Sequence, residues 1–402
     1  MAWKEVSSMS QREEFVVLAS VEGANFSELC RRFGVSRKTG YKWLARYVSD
    51  GVAGLADQSR RPLKPSGQTN PELEQRVLIL RREHPAWGGR KLRRRLLDMK
   101  EIEVPAASTI TEILRRHGQL NERDGAGKPN IQRFEHAASN DLWQMDFKGH
   151  FSMTRGGRCH PLTVLDDHSR YSLGLRACDN ERTETVQHEL VEMFRHHGLP
   201  RRMLMDNGSP WGDAGDQPWT RLTAWLVRLG ISISHGRPYH PQTQGKDERF
   251  HRTLAAEVLR DRSFTDLVET QTAFDLWRQV YNTQRPHDAL KLEVPISRYR
   301  ISPRVFPERL PQIEYAPDVK VRRASTRGVI KFSSCSIRIG LAFVGEPIGV
   351  RATSETDVYE VFYGHQAVGQ FNLNGSARDG RKTLAMSRLP RVANERSAGS
   401  HS

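Results

Sequence analysis

Asp146, Asp206 and Glu248 lie 60 and 42 residues apart, in a stretch of chain that alternates between strand-like and helix-like patterns. Two carboxylates from neighbouring strands and a third from a helix packed beside them can converge on one point. Hard oxygen donors of this kind suit Mg²⁺, with Mn²⁺ able to substitute; such an ion keeps several waters and completes its shell with phosphate oxygens. Two ions about 3.5 to 4 Å apart would activate a water or a 3′-hydroxyl on one side and stabilise a leaving oxygen on the other. Cutting a phosphodiester and joining its end to another strand need the same arrangement.

The chain has 47 acidic residues, so spacing alone selects nothing; most acidic side chains are solvated surface. The settings do select. Asp146 stands in Trp143-Gln144-Met145-Asp146-Phe147, a mostly apolar strand where a casual carboxylate would be costly. Asp206 is followed by Asn207-Gly208, a turn that leaves its side chain at a strand end. Glu248 begins a helix introduced by Gln244-Gly245-Lys246. Asp166 and Asp167 compete for the ligand role, but Asp-Asp-His-Ser is ordinary turn chemistry, and one of these acids is expected to pair with Arg170. Asp247 points about 100° around the helix from Glu248 and is the weaker candidate. His240, Gln244 and His251 either position DNA or cap and pack. The stretch from Tyr281 to His287 reads as a helix terminus ahead of Pro286.

The elements that must hold these acids are legible as an alternation. Residues 142–148 place Trp143, Met145 and Phe147 on one side and Gln144, Asp146 and Lys148 on the other. Residues 162–165 and 171–177 give the next strands. A helix with Val186, Leu190, Met193 and Phe194 follows, then a short strand at 203–205, a helix over 219–229, a strand at 231–234 and a last pair of helices. The expectation is a layered α/β domain at 139–300.

Ahead of it, residues 1–58 carry a helix-turn-helix pattern. Phe26, Leu29, Cys30 and Phe33 recur at i, i+3, i+4 and i+7, Asn25 with Glu28 makes a capping box, and Ser36 caps a second helix after Gly34. That second helix carries Arg37, Lys38, Tyr41, Lys42 and Arg46 along one edge, while Trp43, Leu44 and Tyr47 face inward. The second helix is the one that enters the major groove in such units, so these five residues are expected to contact DNA. A basic, Pro-bearing linker at 59–65 leads to a second helical unit, 66–120, in which Arg90, Lys91 and Arg94 are expected DNA contacts and Ser108 is expected to cap the third helix. Residues 121–138 read as another linker. Residues 315–374 carry short β-branched strands with Gly-containing turns, expected to form a small β-barrel, and 375–402 read as a disordered basic tail.

Composition bounds the partners. With 62 Lys+Arg against 47 Asp+Glu the net charge is +15, which favours a polyanion such as nucleic acid. No apolar run is long enough to span a bilayer and the polar opening lacks a secretory signal, so no membrane partner and a cytoplasmic location are expected. None of the four cysteines stands in a CxxC pair, and zinc is not expected.

At WQMDF, PLTVLDDHSRY, MDNG, HPQTQGKDERFHRTL and the closing Tyr281-Asn282-Thr283-Gln284-Arg285-Pro286-His287, the chain resembles the DDE transposases of bacterial insertion sequences with an integrase-like core, and more distantly retroviral integrases. The resemblance spans about residues 10 to 300. It implies a multidomain α/β protein: N-terminal helix-turn-helix units, an RNase H-like core and Asp146, Asp206 and Glu248 as metal-binding acids. It implies the terminal inverted repeats of a mobile element as substrate, and at least a dimer on DNA, because two element ends are joined in one reaction. Many relatives carry a basic residue seven positions after the Glu; here that position is Ala255, and Arg252 or Lys246 is expected to take over the DNA contact. The span from Asp206 to Glu248 is longer than usual, with the extra residues expected between Ser209 and Trp219. Two other functions compete: a DNA-binding regulator or inactive derivative, and a simple nuclease.

Overall fold

The computed structural model describes residues 8–57, 69–120, 135–212, 219–236, 245–260, 262–374 and 383–387. The chain divides into two compact units, Met1–Thr69 and Asn70–Ser402. The linker expected at 59–65, most of the one at 121–138, and His240 and Gln244 lie outside the described residues.

In the first unit, α1 (Ser8–Ala19), α2 (Phe26–Arg32) and α3 (Arg37–Asp50) enclose Phe15, Val16, Cys30 and Trp43. Asn25 caps α2 by accepting from the Glu28 amide at 3.1 Å, and Ser36 caps α3 by accepting from Thr39 at 3.2 Å. A side chain cannot replace the hydrogen of Gly40: a Cβ there would meet Phe15, Cys30 and Phe26 at 2.8–2.9 Å, so α3 crosses the other two helices at van der Waals range.

The second unit opens with α4 (Pro71–Glu83), α5 (Gly89–Asp98) and α6 (Ala107–Arg116) around fully buried Trp87, Leu92, Leu96, Ile110 and Leu114. The start of α6 differs from expectation. Ala106, not Ser108, is its N-cap residue, without a side-chain cap, so Ser108 lies inside the first turn.

A six-stranded sheet follows: β1 (Leu142–Phe147), β2 (Phe151–Ser152), β3 (Arg158–Asp166), β4 (Ser172–Cys178), β5 (Arg202–Met205) and β6 (Ser232–His235). Its path runs β2-β3-β1-β5-β6, with β4 on β3. Helices α7 (Thr183–His197) and α8 (Arg221–Arg228) cover one face, where Trp143, Met145, Leu162 and Val164 join Leu190 and Phe194. The other face is covered by α9 (Gly245–Leu254), a π-turn at Ala255–Leu259 and α10 (Leu267–Thr283), where Leu165 and Leu175 meet Phe250, Leu254, Phe274 and Trp277. The alternation of β1 thus sends Gln144 and Asp146 toward the α9 side. The short α11 (Pro295–Arg298) closes the domain.

The expected C-terminal barrel does not form. Strands β7 (Lys320–Arg323), β10 (Pro347–Ala352), β11 (Val358–Tyr363) and β12 (Gln366–Asn372) make one open sheet, and β8 (Val329–Phe332), β9 (Cys335–Arg338) and β13 (Thr383–Ala385) another. Among the described residues no ladder joins them into a ring. Closure is unnecessary, because their apolar residues share one core with α8: Trp219 donates to Val368 O at 2.9 Å, and Arg228 pairs with Glu346 at 3.1 Å. The tail expected to be disordered from 375 contributes β13, which pairs in parallel with β9; residues 375–382 and 388–402 lie outside the described residues.

Candidate active site

Strands β1 and β5 pair in parallel with Leu142 opposite Arg202, Trp143 opposite Met203 and Gln144 opposite Leu204. The same register carried two residues further sets Asp146 level with Asp206. Adjacent strands are separated by roughly 4.8 Å, so both carboxylates emerge side by side from the C-terminal ends of neighbouring parallel strands. The spacing of 60 is this register written along the chain. The Asp146 carboxyl is pushed up to about 7, by burial first and then by the charge of Asp206.

Asp206 is held by its own turn. The amide of Gly208 donates to Oδ1 at 2.8 Å, and the indole N–H of Trp211 donates to the same oxygen. Trp211 is buried and stacks on Phe147 of β1 at 5.3 Å, so one aromatic couples the two acid-bearing strands. Sequence reading missed Trp211 because it lies in the stretch taken for extra loop.

On α9 the inward stripe is Asp247, Phe250 and Leu254. Phe250 sits edge-on to Trp277 at 5.3 Å and to Tyr281 at 4.9 Å, which fixes the rotation of the helix. His251, next on the helix surface, lies 3.9 Å from Asp146 Oδ2 through Nδ1. Its Nε2 meets Thr163 Oγ1 at 2.9 Å, and that hydroxyl gives its proton to Asp146 O at 2.9 Å. Nε2 therefore carries the imidazole hydrogen, and Nδ1 turns a lone pair toward Asp146. Burial, then the charge of Lys148, lowers His251 to about 4, so the ring is neutral.

Glu248 is three residues before His251, hence a neighbour on the helix surface with Cβ atoms about 5 to 6 Å apart. Its carboxylate is 63 % exposed and turned to Arg252 at 3.7 Å. Among the described residues no three metal-ligating side chains are close enough to hold an ion as they stand. The structure therefore brings Asp146 and Asp206 together and leaves Glu248 beside them, facing outward. The donor set still fits a divalent cation: the charge of Asp206 adds to burial in raising the Asp146 carboxyl, and the His251 lone pair faces that carboxylate with no donor between them. An exposed Glu–Arg pair is worth well under about 1 kcal/mol and yields readily to a cation.

Five regions of the chain match family models: an integrase core domain at residues 136–241, a second integrase core match at 229–295, a helix-turn-helix domain at 11–62, a homeodomain-like domain at 39–114, and the C-terminal domain of IS481 family transposases at 319–378. The insertion element IS407 uncharacterized 31.7 kDa protein of Burkholderia multivorans is 26% identical over 47% of this chain and 64% of its own length. The insertion element IS476 uncharacterized 39.2 kDa protein of Xanthomonas euvesicatoria is 25% identical over 67% of this chain and 76% of its own. Together these matches support an insertion-sequence transposase with an integrase core. The HTLV-2 integrase catalytic core domain, solved in complex with magnesium, covers 41% of the transposase chain and 99% of its own at 11% identity, with a TM-score of 0.30, a loose overlap that carries no weight.

Several basic residues of the transposase lie elsewhere than expected. Lys246 is engaged within the protein: its ammonium pairs with Asp167, a carboxylate only 3% exposed. Asp167 also accepts from Gln144 Nε2 at 2.7 Å and from the His136 amide at 2.9 Å. Burial raises this carboxyl, but the Lys246 ammonium and these donors bring it below the usual range. Asp166 is structural, its oxygens taken by Asn140 N, Ser169 N and Ser169 Oγ at 2.6–2.8 Å. Arg170 pairs with Glu135 at 3.4 Å, not with an acid of its own turn.

In the second helical unit, Lys91 is turned toward the core, and burial followed by the charge of Arg285 lowers its ammonium to about 7. Its neighbours Arg90 and Arg95 reach Asp288 at 3.3 Å and Gln284 at 2.8 Å, so this edge of α5 docks on the catalytic domain. Arg94 pairs with Asp98 along the helix at 2.8 Å. On α3, by contrast, Arg37, Lys38, Tyr41 and Lys42 are exposed, with Arg46 half-buried and Tyr41 stacked on Phe26 at 4.1 Å.

Proposed function

We propose that the chain binds the terminal inverted repeats of an insertion sequence and cuts and joins DNA strands at Asp146, Asp206 and Glu248. The observation that carries this reading is the parallel register that sets Asp146 level with Asp206, with α9 laid beside them. Asp146 and Asp206 would hold Mg²⁺ directly, and Glu248 would join them by turning away from Arg252. Two such ions, when bound, supply the Lewis acidity that activates a 3′-hydroxyl or water and stabilises the leaving oxygen. The chain's part is to fix both aspartates on one strand edge, to orient Asp206 through Trp211 and Gly208, and to present neutral His251 as an acceptor beside Asp146.

The DNA footprint would run along Arg37, Lys38, Tyr41, Lys42 and Arg46 of α3, with Arg94 and Arg252 as further partly exposed and exposed cations. The test is incubation with Mg²⁺, a DNA fragment carrying the element end and a target plasmid. Products whose 3′ ends are joined to target support the reading; nicks alone would indicate a nuclease, and binding without new products a regulator. Assembly of at least a dimer on DNA belongs to the same proposal.

Two further outcomes follow. Lys42→Ala should weaken binding to the element end and lower the slope of log affinity against log salt by about 0.9, the release of one counterion. Titrating affinity at several salt concentrations checks this; an unchanged slope would make α3 a merely solvated face. Because Asp146 rests near 7 without a cation, binding displaces a proton. Mn²⁺ affinity should therefore be roughly tenfold weaker at pH 6 than at pH 8, read by paramagnetic resonance, and Asp146→Asn should remove most of that dependence.

A further inference from the structure

The cations of α9 are already engaged with acids: Lys246 with Asp167, Arg249 with Asp288 at 3.5 Å and Arg252 with Glu248 at 3.7 Å, while the next turn opens on Ala255. A cavity of about 250 Å³ opens beside the same strand edge. Lys148, His150, Phe151, Leu259, Arg262 and Ser263 help to line it, and among the described residues no carboxylate does.

Lys148 follows Asp146 by two residues. Its amide still donates to Pro161 O at 3.0 Å, so the strand alternation continues and both side chains leave the same face. Its charge is felt at His251, which touches Asp146. Among the described residues the Lys148 ammonium has no carboxylate within pairing range. From the opposite wall, the π-turn at Ala255–Leu259 delivers Leu259, and Arg262 follows with its guanidinium 4.7 Å above the Phe264 ring. Among the described residues the acid paired with Arg262 is Glu269, loosely, at 3.7 Å, with both side chains exposed. A π-turn absorbs one residue more than an α-turn, which changes the direction in which the following chain leaves the helix.

We propose that this cavity is a phosphate-binding subsite, in which Lys148 and Arg262 grip a phosphodiester group of the DNA strand that enters the catalytic edge. The subsite rests on the catalytic reading above and supplies the cationic contact that Ala255 lacks. One cation comes from the strand end and the other from the segment after the π-turn. Lys148 contributes a compact point charge, and Arg262 a planar fork matched to phosphate oxygens.

The test is fluorescence anisotropy with a labelled duplex of the DNA adjoining the reading frame, between roughly 50 and 200 mM salt. Lys148→Ala and Arg262→Ala should each lower the salt slope by about 0.9 and weaken binding roughly tenfold, as expected for one charged hydrogen bond. Lys148→Arg should bind like the wild type, which separates a lost contact from a lost fold. A methylphosphonate that neutralises the gripped phosphate should weaken the wild type but not the double variant. Unchanged affinity and slope in both single variants would overturn the subsite, as would methylphosphonate effects that persist in the double variant. Failure of the catalytic reading looks different: Asp146→Asn would still join strands while Lys148→Ala lowered the slope.

Discussion

Asp146→Asn should reduce strand joining by on the order of 10³-fold, because several kcal/mol of transition-state charge stabilisation leave with the metal, while binding to the element end survives. The substitution keeps the shape of the side chain and removes the charge, and the strand around it is packed through Trp143 and Met145, both fully buried. Glu248→Gln should have a comparable effect despite the exposure of its carboxylate. Asp247→Asn should differ. Asp247 is fully buried, with one carboxyl oxygen lacking a partner, and burial followed by the charge of Asp146 raises its carboxyl well above the usual range. Burial favours its protonated form, which the amide mimics, and joining should fall by less than about threefold. Joining by Asp146→Asn at the wild-type rate would sink the assignment of the triad. A large loss in Asp247→Asn with little in Glu248→Gln would give the third position to the inward acid.

Lys246→Ala should destabilise the second unit by about 3 to 5 kcal/mol, the usual consequence of leaving one member of a buried ion pair without its partner. Asp167 would remain 3% exposed and charged, its negative field unopposed beside Gln144 and the buried Asp247. The pair also ties the first turn of α9 to the turn after β3, so joining should fall with stability. The double change Lys246→Met with Asp167→Leu should recover most of the stability, as apolar replacements of buried pairs commonly do. Urea unfolding midpoints measure the first effect, and salt-dependent DNA binding tests the alternative in which Lys246 touches phosphate. If the double variant is stable yet binds DNA with a salt slope lower by about 0.9, Lys246 belongs to the DNA interface after all.

The alternation within 142–148 made Asp146 conspicuous in the sequence, since period-two patterns encode which face a side chain takes. Caps such as Asn25 and Ser36 are equally local and were legible for the same reason. What escaped depends on distant partners. Nothing near Lys246 announces Asp167, 79 residues earlier, and nothing near Lys91 announces the Glu257, Arg285 and Asp288 groups around it. Basic residues on a helix look alike whether they face water or a neighbouring domain, so the edge of α5 was read as a DNA surface. The C-terminal strands were recognised as strands, but whether a set of strands closes depends on what covers its apolar face, and here α8 does.

The parallel pairing of β1 with β5 also makes the chain unevenly tolerant of length change. A residue inserted inside 143–146 or 203–206 turns the following side chains to the opposite face, carrying an aspartate from the α9 side into the Leu190 and Phe194 cluster. The same insertion in the loop between β2 and β3, or after the Trp211 turn, leaves both aspartates where they are. Gains and losses of sequence along this lineage should therefore gather in those connections and spare two four-residue windows.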